Sequence, residues 1–209
     1  MSDLRDLVKQ DDGAPATKKT FKDYEPGLIH IDIKYLPQMP HESSQCYLFV
    51  AIDRASRWVL INIYADQSAN SSVDFLAKAR AACPVKIVKL LTDRFTAKGK
   101  NREQSGRHLF DRLCKQFNIE HRLIPPRHPQ TNGMVERLNG RISGIVNQAR
   151  FGAAAEHEST LCNYVKIYNH NIPKRALKHQ TPIQALKQWH AERPELFVKR
   201  VYSHAALYI

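Results

Sequence analysis

The sequence predicts an α/β domain built on a mixed five-stranded sheet flanked by helices. Three observations carry the prediction. Three strand-like segments with short links come first, between residues 28 and 64. A helical pattern then separates them from two further strand-like segments, and helical patterns fill the chain from about residue 134 to 191. An early antiparallel meander followed by alternating strands and helices is the pattern of a layered domain with a mixed sheet.

Each element has its own signal. Residues 28–36 alternate, with Ile29, Ile31, Ile33 and Tyr35 on one side and His30, Asp32 and Lys34 on the other, the period of a half-buried strand. Apolar runs at 46–52 and 58–64 give two more strands, and the link Asp53-Arg54-Ala55-Ser56-Arg57 suits a hairpin between them. Ser71-x-x-Asp74 resembles a capping box opening a helix to about Ala82. Residues 85–92 read as a fourth, more buried strand, 94–106 as a polar basic loop, and a helix runs from Ser105 or Gly106 to about Phe117. A short strand at 120–124 precedes a loop punctuated by Pro125, Pro126, Pro129 and Gly133. From about Met134, Val135, Leu138, Ile142, Ile145, Val146 and Ala149 form one helical stripe. Two further helices are expected at 158–168 and, behind Thr181-Pro182, at 182–191. Residues 1–23, polar and mixed in charge, read as a flexible leader too short for a helix-turn-helix.

Charge narrows the partners. The formal net charge is +12. Residues 94–187 hold 17 basic side chains against 6 acidic ones, while residues 1–93 balance 12 against 12. An excess confined to one half is expected of a face that meets a polyanion, so nucleic acid is the expected partner. A membrane partner is excluded from the expectation: no basic amphipathic helix stands out, and no apolar run approaches the roughly 18 residues of a span. The N-terminus has no apolar signal region, and Cys46, Cys83, Cys114 and Cys162 form neither a C-x-x-C pair nor a disulfide framework. A reducing cytoplasm is the simplest compartment.

Three carboxylates stand where chemistry could use them. Asp32 sits mid-strand, Asp93 ends the fourth strand, and Glu136 lies in the first turn of the long helix. Hard divalent cations take oxygen ligands, and two such ions about 3.5–4 Å apart can serve both oxygens of a phosphoryl transfer. Each residue also has a plainer reading: a solvated strand Asp, a turn-forming Asp, and a Glu complementing a helix dipole.

The surroundings decide between these readings. His30-Ile-Asp32, Leu91-Thr92-Asp93 and the segment Arg127-His128-Pro129-Gln130-Thr131-Asn132-Gly133-x-x-Glu136-Arg137-x-Asn139 resemble the retroviral-integrase-like core of bacterial insertion-sequence transposases. So does the tail Tyr168-Asn169-x-x-Ile172-Pro173-x-Arg175-Ala176-Leu177 followed by Thr181-Pro182. The resemblance covers about residues 26–190. It implies a ribonuclease-H-like fold, an integrase-like catalytic core over 24–155, and a C-terminal helical extension over 156–209 packed on it. It further implies Mg²⁺, with Mn²⁺ as substitute, held by the catalytic triad Asp32, Asp93 and Glu136. The implied activity is cleavage of DNA at transposon ends and joining to target DNA, by a homo-oligomer associated with the bacterial nucleoid.

One segment departs from the family. Members commonly continue the second acid as Thr-Asp-Asn-Gly-x-x-Phe, whereas Asp93 is followed here by Arg94-Phe95-Thr96. An arginine beside the second acid competes with a cation for it, so the alternative expectation is a catalytically impaired DNA-binding remnant. The candidate DNA contacts are Lys98, Lys100, Arg102 and Arg107 in the basic loop, with Arg127, His128, Asn132 and Arg137 around the Glu136 motif. Tyr164, Tyr168 and Trp189 recur at helical intervals and read as core, and His170, His179 and His190 lack metal-ligand spacing.

Overall fold

The computed structural model describes residues 24–37, 46–92, 108–124, 129–148 and 154–202; the side chains of 129–132, 146–148 and 154–157 stand outside that description. Five strands, β1 (Leu28–Tyr35), β2 (Tyr47–Asp53), β3 (Val59–Tyr64), β4 (Lys89–Thr92) and β5 (Glu120–Leu123), join one sheet in the order β3-β2-β1-β4-β5. β2 runs antiparallel to β1 and β3, while β4 runs parallel to β1 and β5. The mixed five-stranded sheet expected from sequence is present, with β1 central.

Gly27 sets the first strand in place. Its φ of 105° is open to glycine alone at little cost, and a Cβ there would fall 2.4 Å from the Lys86 carbonyl oxygen. The Gly27 carbonyl accepts from the amides of Val88 and Lys89, and its own amide donates to Asp53 Oδ1 at 2.9 Å. Asp53, fully buried, also accepts from the Ser56 amide and hydroxyl, each at 2.7 Å. One carboxylate thus ties the β2–β3 hairpin turn to the start of β1.

Helices α1 (Ala69–Ala82), α2 (Leu109–Gln116), α3 (Pro129–Gln148), α4 (Ala154–His170) and α5 (Pro182–Glu192) cover the sheet. One core joins Ile29, Ile31, Phe49 and Leu90 to Phe75 of α1, Phe110 of α2 and Leu186 of α5. The other joins Leu48, Val50 and Ile52 to Val135, Leu138 and Ile142 of α3 and to Leu161 and Val165 of α4. Val135, Leu138 and Ile142 of the helical stripe expected after residue 134 therefore sit in this second core with Ile145 packed against it, while Ala149 and the Val146 side chain lie outside the described residues. Asn169 near the end of α4 also closes an open strand: its Oδ1 accepts from the Val59 amide at 2.9 Å, and its Nδ2 donates to the Val59 carbonyl at 2.8 Å. Pairing an edge strand's backbone in this way removes a template for aggregation.

Several expectations need correction, among them the start of α2, whose N-cap is His108 and not Ser105 or Gly106, and the start of α4 at Ala154 and not near residue 158. β1 is not half-buried: helices cover both faces of the sheet, so His30 on the expected polar side is only 1% exposed. The N-cap of α1 is Ser68, whose side chain accepts from the Ser71 amide, and Asp74 instead pairs with Lys78 and accepts from the Tyr64 hydroxyl. The fourth strand begins at Lys89, because Val85 bridges to Phe197 and the Val88 and Lys89 amides are drawn to the single Gly27 carbonyl. Helix α3 starts at Pro129 rather than near Met134; proline is well suited to a first helical position, where no amide partner is needed. Thr181 forms the capping box of α5 with Gln184, as its Thr-Pro start suggests. No helix among the described residues is long and apolar enough to cross a membrane.

Candidate active site

The site is built where central β1 meets α3. Asp32 stands opposite Val50 of β2, on the face that α3 covers. Its Oδ2 accepts a hydrogen bond from Asn139 Nδ2 at 2.7 Å. Asn139 lies three residues after Glu136 on α3, and positions i and i+3 are neighbours on a helix surface. The contact therefore brings the helical turn that carries Glu136 to Asp32. Asp32 is half-buried and Glu136 is exposed, so one carboxylate is fixed by the fold and the other faces outward.

Lys34 completes this junction. Its ammonium donates to the Asn139 carbonyl at 3.0 Å and also contacts the Ser143 hydroxyl. Ser143 Oγ itself donates to the Asn139 carbonyl at 2.8 Å. Burial pulls the Lys34 pKa below its ordinary value, and the neighbouring Asp32 opposes that shift. Sequence reasoning had not singled out Lys34 or Asn139. The available signal was spacing: Lys34 shares the strand face of Asp32, and Asn139 closes the Glu136-Arg-x-Asn motif.

A second network braces the strand that leads to Asp93. Thr92 is fully buried at the end of β4, in register with Ile31 beside Asp32. Its Oγ1 lies 2.7 Å from His121 Nε2 on β5, and His121 Nδ1 lies 2.6 Å from Asp111 Oδ1 on α2. The carboxylate can only accept, so Nδ1 carries the proton. Burial lowers the His121 pKa although Asp111 raises it; the neutral ring then accepts the Thr92 hydroxyl proton at Nε2. Three elements are locked at one residue, immediately before the second candidate acid.

His30 is the third buried polar group here. It is almost fully buried, and neither ring nitrogen has a hydrogen-bond partner among the described residues. Desolvation, aided by the nearby Arg54 charge, lowers its pKa to about 4. It is a neutral packing residue of β1 itself, two positions before Asp32.

The remaining expected site residues divide plainly. Asp93, Lys98, Lys100, Arg102, Arg107, Arg127 and His128 lie outside the described residues, as does the side chain of Asn132. Arg137 is exposed, and its Nε donates to the Gly133 carbonyl at 2.8 Å. Among the described residues no group of three or more potential ligands converges. Asp32 and Glu136 do supply carboxylate oxygens from facing elements, the donor chemistry a hard divalent cation requires, so the residues present fit such an ion.

Comparison with known proteins fixes the family. Two family profiles, both described as integrase core domain, match residues 23–129 and 117–182. The chain belongs to the integrase core domain family. It is 26% identical over 173 residues to the "Putative integrase ORF3" of a Spiroplasma virus, covering 78% of this chain and 48% of that protein. It is 24% identical over 139 residues to an uncharacterized protein of Caenorhabditis elegans, covering 66% of this chain and 10% of that protein. The chain thus spans about half, or less, of the length of these curated relatives. The catalytic core domain of BIV integrase shares its fold at a TM-score of 0.56 and 18% identity, over 79% of this chain and 97% of that one. The simian T-cell lymphotropic virus intasome, in complex with a PP2A regulatory subunit, contains a chain similar at a TM-score of 0.57 and 19% identity, over 76% of this chain and 53% of that one. The sheet is that of a ribonuclease-H-like integrase core.

Proposed function

We propose that this integrase core is the catalytic core of a bacterial insertion-sequence transposase, which cleaves DNA at transposon ends and joins the freed 3′ ends to target DNA. The observation that carries the reading is the Asn139–Asp32 hydrogen bond of 2.7 Å, which sets the Glu136 turn against the central strand of an integrase core. In the first step water adds to the scissile phosphorus and the 3′ oxygen departs as a hydroxyl. In the second, that 3′ hydroxyl attacks a target phosphodiester and displaces the target's own 3′ oxygen. Asp32, Asp93 and Glu136 would hold Mg²⁺ or Mn²⁺, which supplies activation of the attacking oxygen and stabilisation of the leaving one. Asn139 orients the Asp32 carboxylate, and Lys34 holds α3 on β1 so that the two acids keep their spacing.

The reading takes residues 24–155 as the core and 156–209 as an extension packed on it. DNA is the partner, bound through Lys98, Lys100, Arg102 and Arg107 and through Arg127, His128, Asn132 and Arg137, by a homo-oligomer that pairs two ends in the bacterial nucleoid. A second reading, an impaired DNA-binding remnant, is favoured by Arg94 in place of the family's Asn-Gly beside Asp93. A cleavage assay on matching element ends with Mn²⁺ separates the two. Cleavage that disappears with Asp32→Asn and with Glu136→Gln supports the transposase. Metal-independent DNA binding without cleavage, reversed by restoring Thr-Asp-Asn-Gly-x-x-Phe after Leu91, supports the remnant.

A further inference from the structure

On the side of α3 away from Asp32 lies a cavity of about 780 Å³, within the range of small-ligand sites. Its walls come from the β2–β3 turn, α3, the end of α4, the connection that follows α4, and α5. Seven basic side chains line it, including Arg54, Arg57, Arg137, Arg141 and Lys174, against one acid among the described lining residues, Glu192. Like charges gathered around a hollow are unfavourable unless something negative enters it.

Lys174 is the sharpest feature. It is only 8% exposed, and its ammonium has no hydrogen-bond partner among the described residues; it sits 3.3 Å from the centroid of the Tyr168 ring. Burial and the Arg141 charge lower its pKa to about 8. An ammonium without an acceptor is an expensive group to bury, yet the backbone holds it firmly. Its amide donates to the Gln180 carbonyl at 2.9 Å, and its carbonyl accepts from the Leu177 and His179 amides. The connection closes through Lys178 and His179, both in the left-handed region at φ of 52° and 66°. Strain of that kind in non-glycine residues is kept where the surrounding structure demands it. Burial lowers the Arg57 pKa as well, with Arg54 and Arg137 adding to the shift.

We propose that this cavity is a binding site for closely spaced phosphate groups, distinct from the carboxylate site on the other side of α3, with Lys174 and Arg141 as its anchors. Arginine and lysine form charge-assisted hydrogen bonds to phosphate oxygens, and Lys174 is an ammonium held in place before the ligand arrives. The phosphates come either from a DNA strand or from a free polyphosphate compound. The site is independent of whether the chain cleaves DNA.

Calorimetric titration of the full chain with inorganic triphosphate, at fixed salt, tests the proposal. Lys174→Met and Arg141→Gln should each weaken triphosphate binding about tenfold or more, while Lys187→Met, an α5 lysine outside the cavity, should leave it unchanged. Lys174→Met removes a buried charge, so its melting temperature should stay level or rise, which separates lost binding from lost fold. If a DNA strand is the occupant, triphosphate displaces a labelled oligonucleotide and both variants weaken DNA binding in parallel. If the occupant is a free polyphosphate, DNA affinity does not change in the variants. Triphosphate binding that is undetectable at millimolar concentration, or equal in the parent chain and both variants, overturns the proposal.

Discussion

Helix α3 meets two unlike environments. Toward β1, Asn139 and Ser143 face Asp32 and Lys34: Asn139 Nδ2 bonds to Asp32, Lys34 and Ser143 bond to the Asn139 carbonyl, and of these groups only Asn139 Oδ1 is buried without a partner among the described residues. Toward the cavity, Arg137 and Arg141 join further cations around Lys174, whose ammonium has no acceptor among the described residues. The first face is compensated at all but that one oxygen, so its geometry is held by bonds within the fold, which positioned oxygen ligands would require. The second gathers seven cations against one acid among the described lining residues, an arrangement that an entering anion would stabilise. One helix thereby separates the proposed carboxylate site from the proposed anion site, and its residues can be varied one face at a time.

The largest effect should follow loss of an acid. Asp32→Asn or Glu136→Gln should remove metal-dependent cleavage, more than about a hundredfold, with DNA affinity retained; gel assays of cleavage and binding on the same substrate check both. Asn139→Ala leaves both acids but frees the Asp32 carboxylate to turn, and cleavage should fall about 10–100-fold without a matching fall in melting temperature. A third test concerns pH. His30 titrates at about 4 when folded and near 6.5 when unfolded, so between these values the unfolded chain holds more protons. Stability should be fully present above pH 6.5 and decline as pH drops toward 4, by up to about 3 kcal/mol. Urea unfolding at pH 7 and 4.5, with His30→Leu flattening the difference, checks the sign. The smallest effect belongs to Thr92→Val. It leaves the His121 Nε2 acceptor without its hydroxyl and should cost about 1–3 kcal/mol, read from denaturant midpoints.

Most of the fold could be read from the sequence, because its signals are local. Alternation placed β1, the short link from Asp53 to Arg57 placed the hairpin, and the stripe of Val135, Leu138 and Ile142 placed the buried face of α3. The misreadings arise where long-range contacts rule. His30 looks solvent-facing by alternation and is buried because α3 and α4 cover the second face of the sheet. The strand expected at 85–92 is shortened by Gly27 and Phe197, residues distant in sequence. At the site, Asp32 and Glu136 could be picked by residue type and motif. Lys34, Asn139 and the Thr92–His121–Asp111 network could not, since their roles depend on which elements pack together. The cavity around Lys174 was equally hidden: its cations come from three separate stretches of chain, and only their charge excess, not their convergence, is visible in the sequence.

In the proposed assignment the β1–α3 face, and not the basic cavity behind it, holds the divalent cation. Titration of Mn²⁺ followed by its paramagnetic resonance signal tests this most directly, because bound Mn²⁺ loses the free-ion signal. The parent chain and Lys174→Met should deplete that signal equally, whereas Asp32→Asn and Glu136→Gln should leave it close to that of buffer alone. Depletion that persists undiminished in both carboxylate variants would contradict the assignment.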